Sequence, residues 1–392
     1  MQKKLIKKEI TFVVILLFIS VSVIPSTGIN IVGKSSAMSN DGNTLYVGGS
    51  GPGNYSTIQE AIDNASDGDI IFVYSGWYDV DKWININKSI RLTGEDKDNT
   101  IINDSGISIV VSEVCVSGFT IQNGSGITIT SFSMEVANNN SISGNIFKSH
   151  KSFIGFGGIT ISNSSYNTIS NNSFFDCGIW MEAFFNLDIV TFYPNFVYNN
   201  TVNGKPLVYF EDISDEVIYD AGQVILIKCN NITVKDLELS NTIIGVQLLD
   251  SLNCYILGNT FSNTFLGGIL LGNSNNNTIS GNTISDNGLG AWLHYSRYNT
   301  ISGNSFKNNE INFIIFNSTC NHILNNNFRF SRSFRMFKSI FSFDSENKWN
   351  SNFWNRPRLL PVLIWGFKTT PLRMRRNLDI DWRPALKPND TS

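Results

Sequence analysis

Charge is what this sequence has least of. Asp, Glu, Lys and Arg make up 16% of 392 residues, against about a quarter in a typical soluble domain, and the formal net charge is −3. That balance excludes nucleic acid as the expected partner, because phosphate backbones select clustered Lys and Arg. Histidine and proline are also sparse, at three and nine residues. Five cysteines (Cys115, Cys177, Cys229, Cys254 and Cys320) are scattered with no C-x-x-C pair. An odd number cannot complete a disulfide framework, so buried small apolar side chains are the expected role.

Long apolar runs are absent except at the start. Lys3, Lys4, Lys7 and Lys8 precede an apolar stretch over residues 10–24 that Pro25 closes. A basic segment followed by about 15 apolar residues has the form of a secretory signal and is short for a bilayer span. Residues 1–25 are therefore expected to be a signal peptide or a membrane anchor, and the chain to be secreted or displayed at the cell surface.

What the sequence has in excess is Asn, Ser, Thr and Gly, arranged with a period. Ile279, Ile301 and Ile323 follow one another at 22 residues, Ile256 precedes Ile279 by 23, and Val234 precedes Ile256 by 22. The pattern extends backwards with longer steps through Val202, Ile169, Ile142, Val116 and Ile90. A fixed period of this size marks a solenoid. Three short strands per turn, their alternate side chains inward and their bends made of Asn and Gly, predict an all-β, right-handed parallel β-helix of about ten coils. Ile256, Ile279, Ile301 and Ile323 should then form one internal column. Phe261, Ile284, Phe306 and Phe328 should form a second, and Leu271, Leu293 and Ile315 a third. Asn259, Asn282, Asn304 and Asn326 repeat in step, so their amides should bond along the axis as in cross-β ladders.

Ahead of the coils, Thr44–Val47 reads as a strand, and Ser56 to Gln59 reads as an S-x-x-Q capping box. Ile58, Ala61, Ile62 and Ala65 share one helical face, so a short capping helix is expected before a strand over residues 69–74. The expected organisation is a parallel β-helix over 41–355, with its N-terminal cap at 41–75 and an acidic insertion at 180–222. A basic, Trp- and Pro-rich C-terminal cap segment follows at 356–392. Overlapping that segment, residues 329–387 hold 13 Lys or Arg against four acids.

The stretch Y-S-T-I-Q-E-A-I-D-N-A-S-D-G-D-I-I-F-V-Y-S-G-W-Y and then N-K-S-I-R-L-T-G-E-D-K-D-N-T-I-I resembles the opening of pectin-lyase-like β-helix proteins. More narrowly it is similar to their NosD-like branch, also called the carbohydrate-binding and sugar-hydrolase (CASH) branch, common among archaeal surface proteins. Residues 199–207, 221–234 and 354–385 carry the same resemblance. It implies the fold across about 44–385. It implies no single activity, because such proteins include lyases, hydrolases, epimerases and non-catalytic members.

Candidate chemistry is thin. Between residues 176 and 220 eight acids face a single base, Lys205. The run holding Glu211, Asp212, Asp215 and Glu216 reads as a loop leaving the helix after a strand at 207–210. Dense carboxylates can hold calcium, yet no D-x-[DN]-x-[DN]-G pattern is present, so no cofactor is assigned. Asp286 and Glu310 are the other candidates, two residues out of register on neighbouring coils. A glycosidic bond is cleaved between facing carboxylates, and no paired-Asp motif appears. Copper, suggested by the NosD resemblance, would need His, Cys or Met brought together, but His150, His294 and His322 share no coil position. Thirteen N-x-[ST] sequons, including Asn54, Asn87, Asn163, Asn199, Asn276 and Asn317, suit an exported chain.

The expected function is an exported β-helix that binds polysaccharide or envelope polymer without catalysis. The first alternative is a polysaccharide lyase or glycoside hydrolase using the acidic loop. The second is an accessory for copper loading of nitrous oxide reductase.

Overall fold

The computed structural model describes residues 42–130, 137–148, 158–182, 194–329, 340–342, 346–355, 360–370 and 373–389. The signal or anchor expected at 1–25 lies outside them. The chain winds as a right-handed parallel β-solenoid of about twelve turns, somewhat more than the ten the spacing suggested. Each turn carries three short strands, and strands on the same face of successive turns pair in parallel.

The predicted columns are present. Ile256, Ile279, Ile301 and Ile323 are register neighbours. So are Phe261, Ile284, Phe306 and Phe328, and Leu271, Leu293 and Ile315. All are fully buried. Phe306 stacks on Phe328, and Phe328 on Trp354, each at 5.0 Å between centroids. Corners are turned by residues with positive φ. Gly258, Gly281 and Gly303 occupy one such corner in successive turns at φ 64°, 67° and 65°, where a Cβ is unfavourable.

Immediately after that corner comes the Asn ladder. Asn259, Asn282, Asn304 and Asn326 each accept, through Oδ1, the backbone N–H of the preceding turn's corner residue at 2.8–3.0 Å. Among the ladders that were not anticipated, two lie in the same coils. One runs through Asn277, Asn299, Asn321 and Asn347. The other is built from hydroxyls, Ser251, Ser274, Ser296 and Ser318.

The earlier columns required correction. Val116, Ile142 and Ile169 do stack, but they continue to Leu92 on one side and Val197 on the other. Val202 instead follows Phe174 on the next face, and Ile90 precedes the strand that carries Leu92. The cause is a break in the winding. Thr201–Val202 folds back on Lys205–Glu211 as an antiparallel hairpin through Asn203 at φ 51° and Gly204 at φ 80°. Two positive φ values in a two-residue Asn-Gly loop are the signature of a tight hairpin turn. Two stacks of coils result, each with its own apolar interior.

The second stack meets the first through the outer side of its third face. Gln223 donates from Nε2 to Ile179 O (2.7 Å), and its Oε1 accepts from Ile179 N (2.9 Å). Gln247 does the same for Met181, at 2.7 and 3.3 Å. Asn203 donates to the carbonyls of Ser240 and Asn241, and Thr242 to that of Cys177. Ile225, Leu249, Leu270, Trp292 and Ile314 of the second stack join the first apolar cluster rather than their own.

At the N-terminal end a helix spans Ile58–Asn64 with Ile58, Ala61 and Ile62 buried. Its N-cap is Thr57, one residue later than the sequence suggested, and Glu60 closes the capping box. Glu60 can reach Ser56 and Thr57 together, which leaves Gln59 free for another task. Gln59 pairs with the backbone of Asn85, accepting from its N–H at 2.8 Å and donating to its carbonyl at 3.3 Å. Lys88 caps the helix C-terminus through the carbonyls of Ile62, Asp63 and Ala65.

The 356–392 segment contains an antiparallel hairpin, Val362–Thr370 with Arg373–Asp381, joined to the last coil where Trp349 pairs with Asp381. Asp381 ends the Asn ladder, accepting from Asn352 N and Nδ2 and from Trp354 Nε1.

Candidate functional site

The sequence candidates do not converge. Glu211 ends a strand and accepts from the Tyr209 hydroxyl at 2.8 Å. The acid run was expected to be a loop leaving the solenoid. Instead it forms an ordinary corner: Ser214 bridges to Asn230, which bridges in turn to Leu252. Asp212 and Asp215 sit there at φ 55° and 63°, and Asp215 accepts from Asn231 Nδ2. Glu216 is exposed beside them. Asp286 and Glu310 occupy a different corner. Asp286 N pairs with Lys307 O while Glu310 N pairs with Asn287 O, which leaves the two acids two positions out of register. Among the described residues no group of three His, Cys, Asp or Glu is placed to hold a metal.

The histidines are equally separate. His150 lies outside the described residues. His322 starts a strand of one face and His294 ends a strand of another. Burial pushes the His294 imidazole down to about 3, and the ring stacks on Phe316 at 5.0 Å. Such a ring stays neutral in the fold but takes a proton in the unfolded chain below pH about 6.5. Its contribution to stability is therefore complete above pH 6.5 and is lost as pH falls towards 3. Glu182 has the opposite sign. Burial raises it to about 7, so its protonated form favours the fold below pH 4.5, and that gain disappears as pH rises through 7. Phenylalanine at 294 keeps the stack and removes the titration. The variant should lose less melting temperature than the parent between pH 6.5 and 4, by an amount reflecting on the order of 3 kcal/mol. A pH-independent difference between the two melting curves would refute the assignment.

A concave site lies elsewhere, on the third face of the first stack. Its strands are Ile84–Ile86, Gly106–Ile109, Gly126–Thr130, Ile159–Ser162 and Ile179–Glu182. Four of them carry a triplet with a polar centre: I-N-I, I-S-I, I-T-I and I-T-I. Strand alternation sends the outer isoleucines inward, where they are 2% exposed or less. The central residues Asn85, Ser108, Thr128 and Thr160 stack on the outside, and Trp180 completes the column. Thr130, Ser162 and Glu182 form a second column beside it.

Over the N-terminal part of this face opens a cleft of about 870 Å³, walled by the helix start and by the loop from Asp79 to Asn85. Trp83 is 37% exposed. Gly106 allows the indole to lie against the sheet, because a Cβ there would come within 2.9 Å of its Cζ3. Asp79 holds the rim together, accepting from Trp77 Nε1 and Asn103 Nδ2 at 2.7 Å each. Sequence reasoning passed over the cleft because it looked for acids. The repeated triplets were the available signal.

The cleft offers an aromatic plane, a line of hydroxyl and amide groups, and carboxylates at its mouth. Those carboxylates and Glu182 lie at opposite ends of the face. The first and last strands are four pairings apart, about 19 Å at about 4.8 Å per pairing. A glycosidase pair needs roughly 5–9.5 Å.

Comparison with known proteins places a family pattern on the second stack. Residues 208–358 match the model of a family described as periplasmic copper-binding protein (NosD). No curated protein matches the chain. Among solved structures it is similar to the A-module of a mannuronan C-5 epimerase from Azotobacter vinelandii, with 14% identity, 76% of this chain and 90% of that one covered, and a TM-score of 0.27. It is also similar to PfbA, a surface adhesin of Streptococcus pneumoniae, with 14% identity, coverages of 79% and 84%, and a TM-score of 0.32. A mannuronic-acid-specific family 6 polysaccharide lyase from human gut microbiota gives 10% identity, 79% and 86%, and 0.30. The cleft lies outside the matched segment. Over residues 208–358 this right-handed β-solenoid therefore carries the NosD family pattern.

Proposed function

We propose that the protein is an exported β-helix that binds an extended polysaccharide along the third face of its first stack. The observation that carries this is the outward Asn85, Ser108, Thr128 column beginning beside Trp83. Groups repeating at about 4.8 Å match the advance of one sugar unit in an extended chain, so successive hydroxyls meet successive partners. An indole supplies the flat apolar surface on which a sugar ring stacks. The N-terminal basic and apolar segment supports export, and the separation of the carboxylates supports binding over hydrolysis.

Alanine at Trp83 should weaken binding to the recognised glycan by tenfold or more, as buried aromatic anchors do, with little change in melting temperature. Microarray screening followed by calorimetry on the mature chain would measure both. Unchanged affinity in the Trp83→Ala protein would remove the cleft from consideration.

One observation favours a lyase or hydrolase instead: Glu182 is raised to about 7, where a carboxyl can give or take a proton near neutrality. That reading requires release of reducing ends or unsaturated uronides, abolished in Glu182→Gln. Silence across a broad polymer panel would dismiss it.

A further inference from the structure

We propose that the cleft selects uncharged glycan chains and rejects polyuronates, an inference that rests on the polysaccharide reading above. The sign of the charge at the mouth is the ground for it. Asp79 and Asp81 line the cleft, and Lys82 is the one basic side chain lining it among the described residues. The next cation along the chain is already committed, since Lys88 Nζ holds three helix carbonyls at 2.7–3.0 Å. Arg91 belongs to a strand of a different face. No described guanidinium lines the cleft, although planar guanidinium groups are the side chains best suited to gripping carboxylates in pairs.

A polyuronate brings one carboxylate per sugar, and at the spacing of this sheet that is one per strand. Beyond the mouth it would pass Ser108 and Thr128, which are hydroxyls. Among the described residues none along that path neutralises it. Hydroxyls of a neutral sugar are served well by the same surface. Ser and Thr side chains both donate and accept, while Asp79 and Asp81 accept only. The Gln59 amide is occupied by the Asn85 backbone, so recognition falls to the hydroxyl column, the rim acids and Trp83.

The test uses the mature chain, neutral hexose and pentose oligosaccharides, and length-matched oligomannuronates and oligogalacturonates. Neutral chains should bind at least tenfold more tightly at low ionic strength, with binding lost in Trp83→Ala. The discrimination should shrink with added salt, because exposed charges are screened over about 10 Å at 0.1 M. Asp81→Lys should narrow or reverse it. Polyuronates that bind as tightly as neutral chains, in a Trp83-dependent manner, would overturn the charge inference and leave the cleft as a glycan site. If no member of either series binds, the glycan reading fails and this inference with it.

Discussion

Alanine at Asn304 is expected to cost on the order of 3–5 kcal/mol of stability, the largest effect of any single polar substitution in the regular coils. The side chain is fully buried and makes five hydrogen bonds. Its Oδ1 accepts from Asn282 N and Asn282 Nδ2, both at 2.9 Å. Its Nδ2 donates to Ile279 O, Ser302 O and Asn326 Oδ1 at 2.9, 3.1 and 3.0 Å. Removing the amide leaves the Asn282 N–H in a dry interior without that acceptor. Its own turn also loses the tie to the Ile279 carbonyl of the preceding turn. An orphaned buried polar group costs about 1–3 kcal/mol, and the vacated space adds to that. Thr283→Ala on the neighbouring turn, where the side chain is exposed, should stay within about 0.5 kcal/mol of the parent.

Aspartate at 304 separates acceptor from donor. It keeps the contact to Asn282 N but turns a carboxylate towards two carbonyls, so it should destabilise at neutral pH and recover in part when protonated. Urea melts of the three variants, with hydrogen exchange of the amides at 278–285, provide the measurement. An Asn304→Ala protein within about 1 kcal/mol of the parent would mean that the ladder adds little beyond the backbone pairing of the sheets.

That ladder was legible because residues 231–328 repeat with almost no insertion, so equal spacing in sequence means equal position on the tube. The first stack hid its register. Its turns are spaced by longer and unequal segments, and counting backwards from Val234 put Val202 in the wrong column. The junction was nonetheless written in the chain. Thr201-Val202-Asn203-Gly204-Lys205 is a strand, an Asn-Gly pair and another strand, the strongest short-range hairpin signal available. Search for a continuous period led past it. The acid run has a structural reason to be where it is: Asp at a corner tolerates positive φ as Asn does, so Asp212, Asp215 and Asp286 are where any solenoid of this kind would place them. The cleft was readable only as a column of triplets. Its aromatic member, Trp83, comes from the loop ahead of the first strand and follows no period at all.

Leucine at Gln247 should produce the second large effect, about 2–5 kcal/mol, and should produce it at the junction. A parallel solenoid that stops leaves one edge of backbone N–H and carbonyl groups unpaired. The third face of the first stack closes both of its edges with glutamine. Gln59 serves Asn85 at the start, and Gln223 and Gln247 serve Ile179 and Met181 at the end. A primary amide presents one donor and one acceptor side by side, as the backbone of a further strand would. The three positions differ in what water can replace. Gln223 and Gln247 are 0% and 1% exposed, so removing either amide strands an N–H and a carbonyl at about 1–3 kcal/mol each. Around Gln59 the bonds are exposed, and Gln59→Leu should cost well under 1 kcal/mol because water takes over the two groups. Glutamate at 247 should be worse than leucine at neutral pH, since it places a carboxylate against the Met181 carbonyl. Hydrogen exchange should localise the damage, with the Met181 amide losing protection in Gln247→Leu while amides at 300–324 keep theirs. If the Met181 amide stays protected and the urea midpoint does not move, the Gln247 amide is incidental and the junction is held by its apolar contact and its other polar bonds.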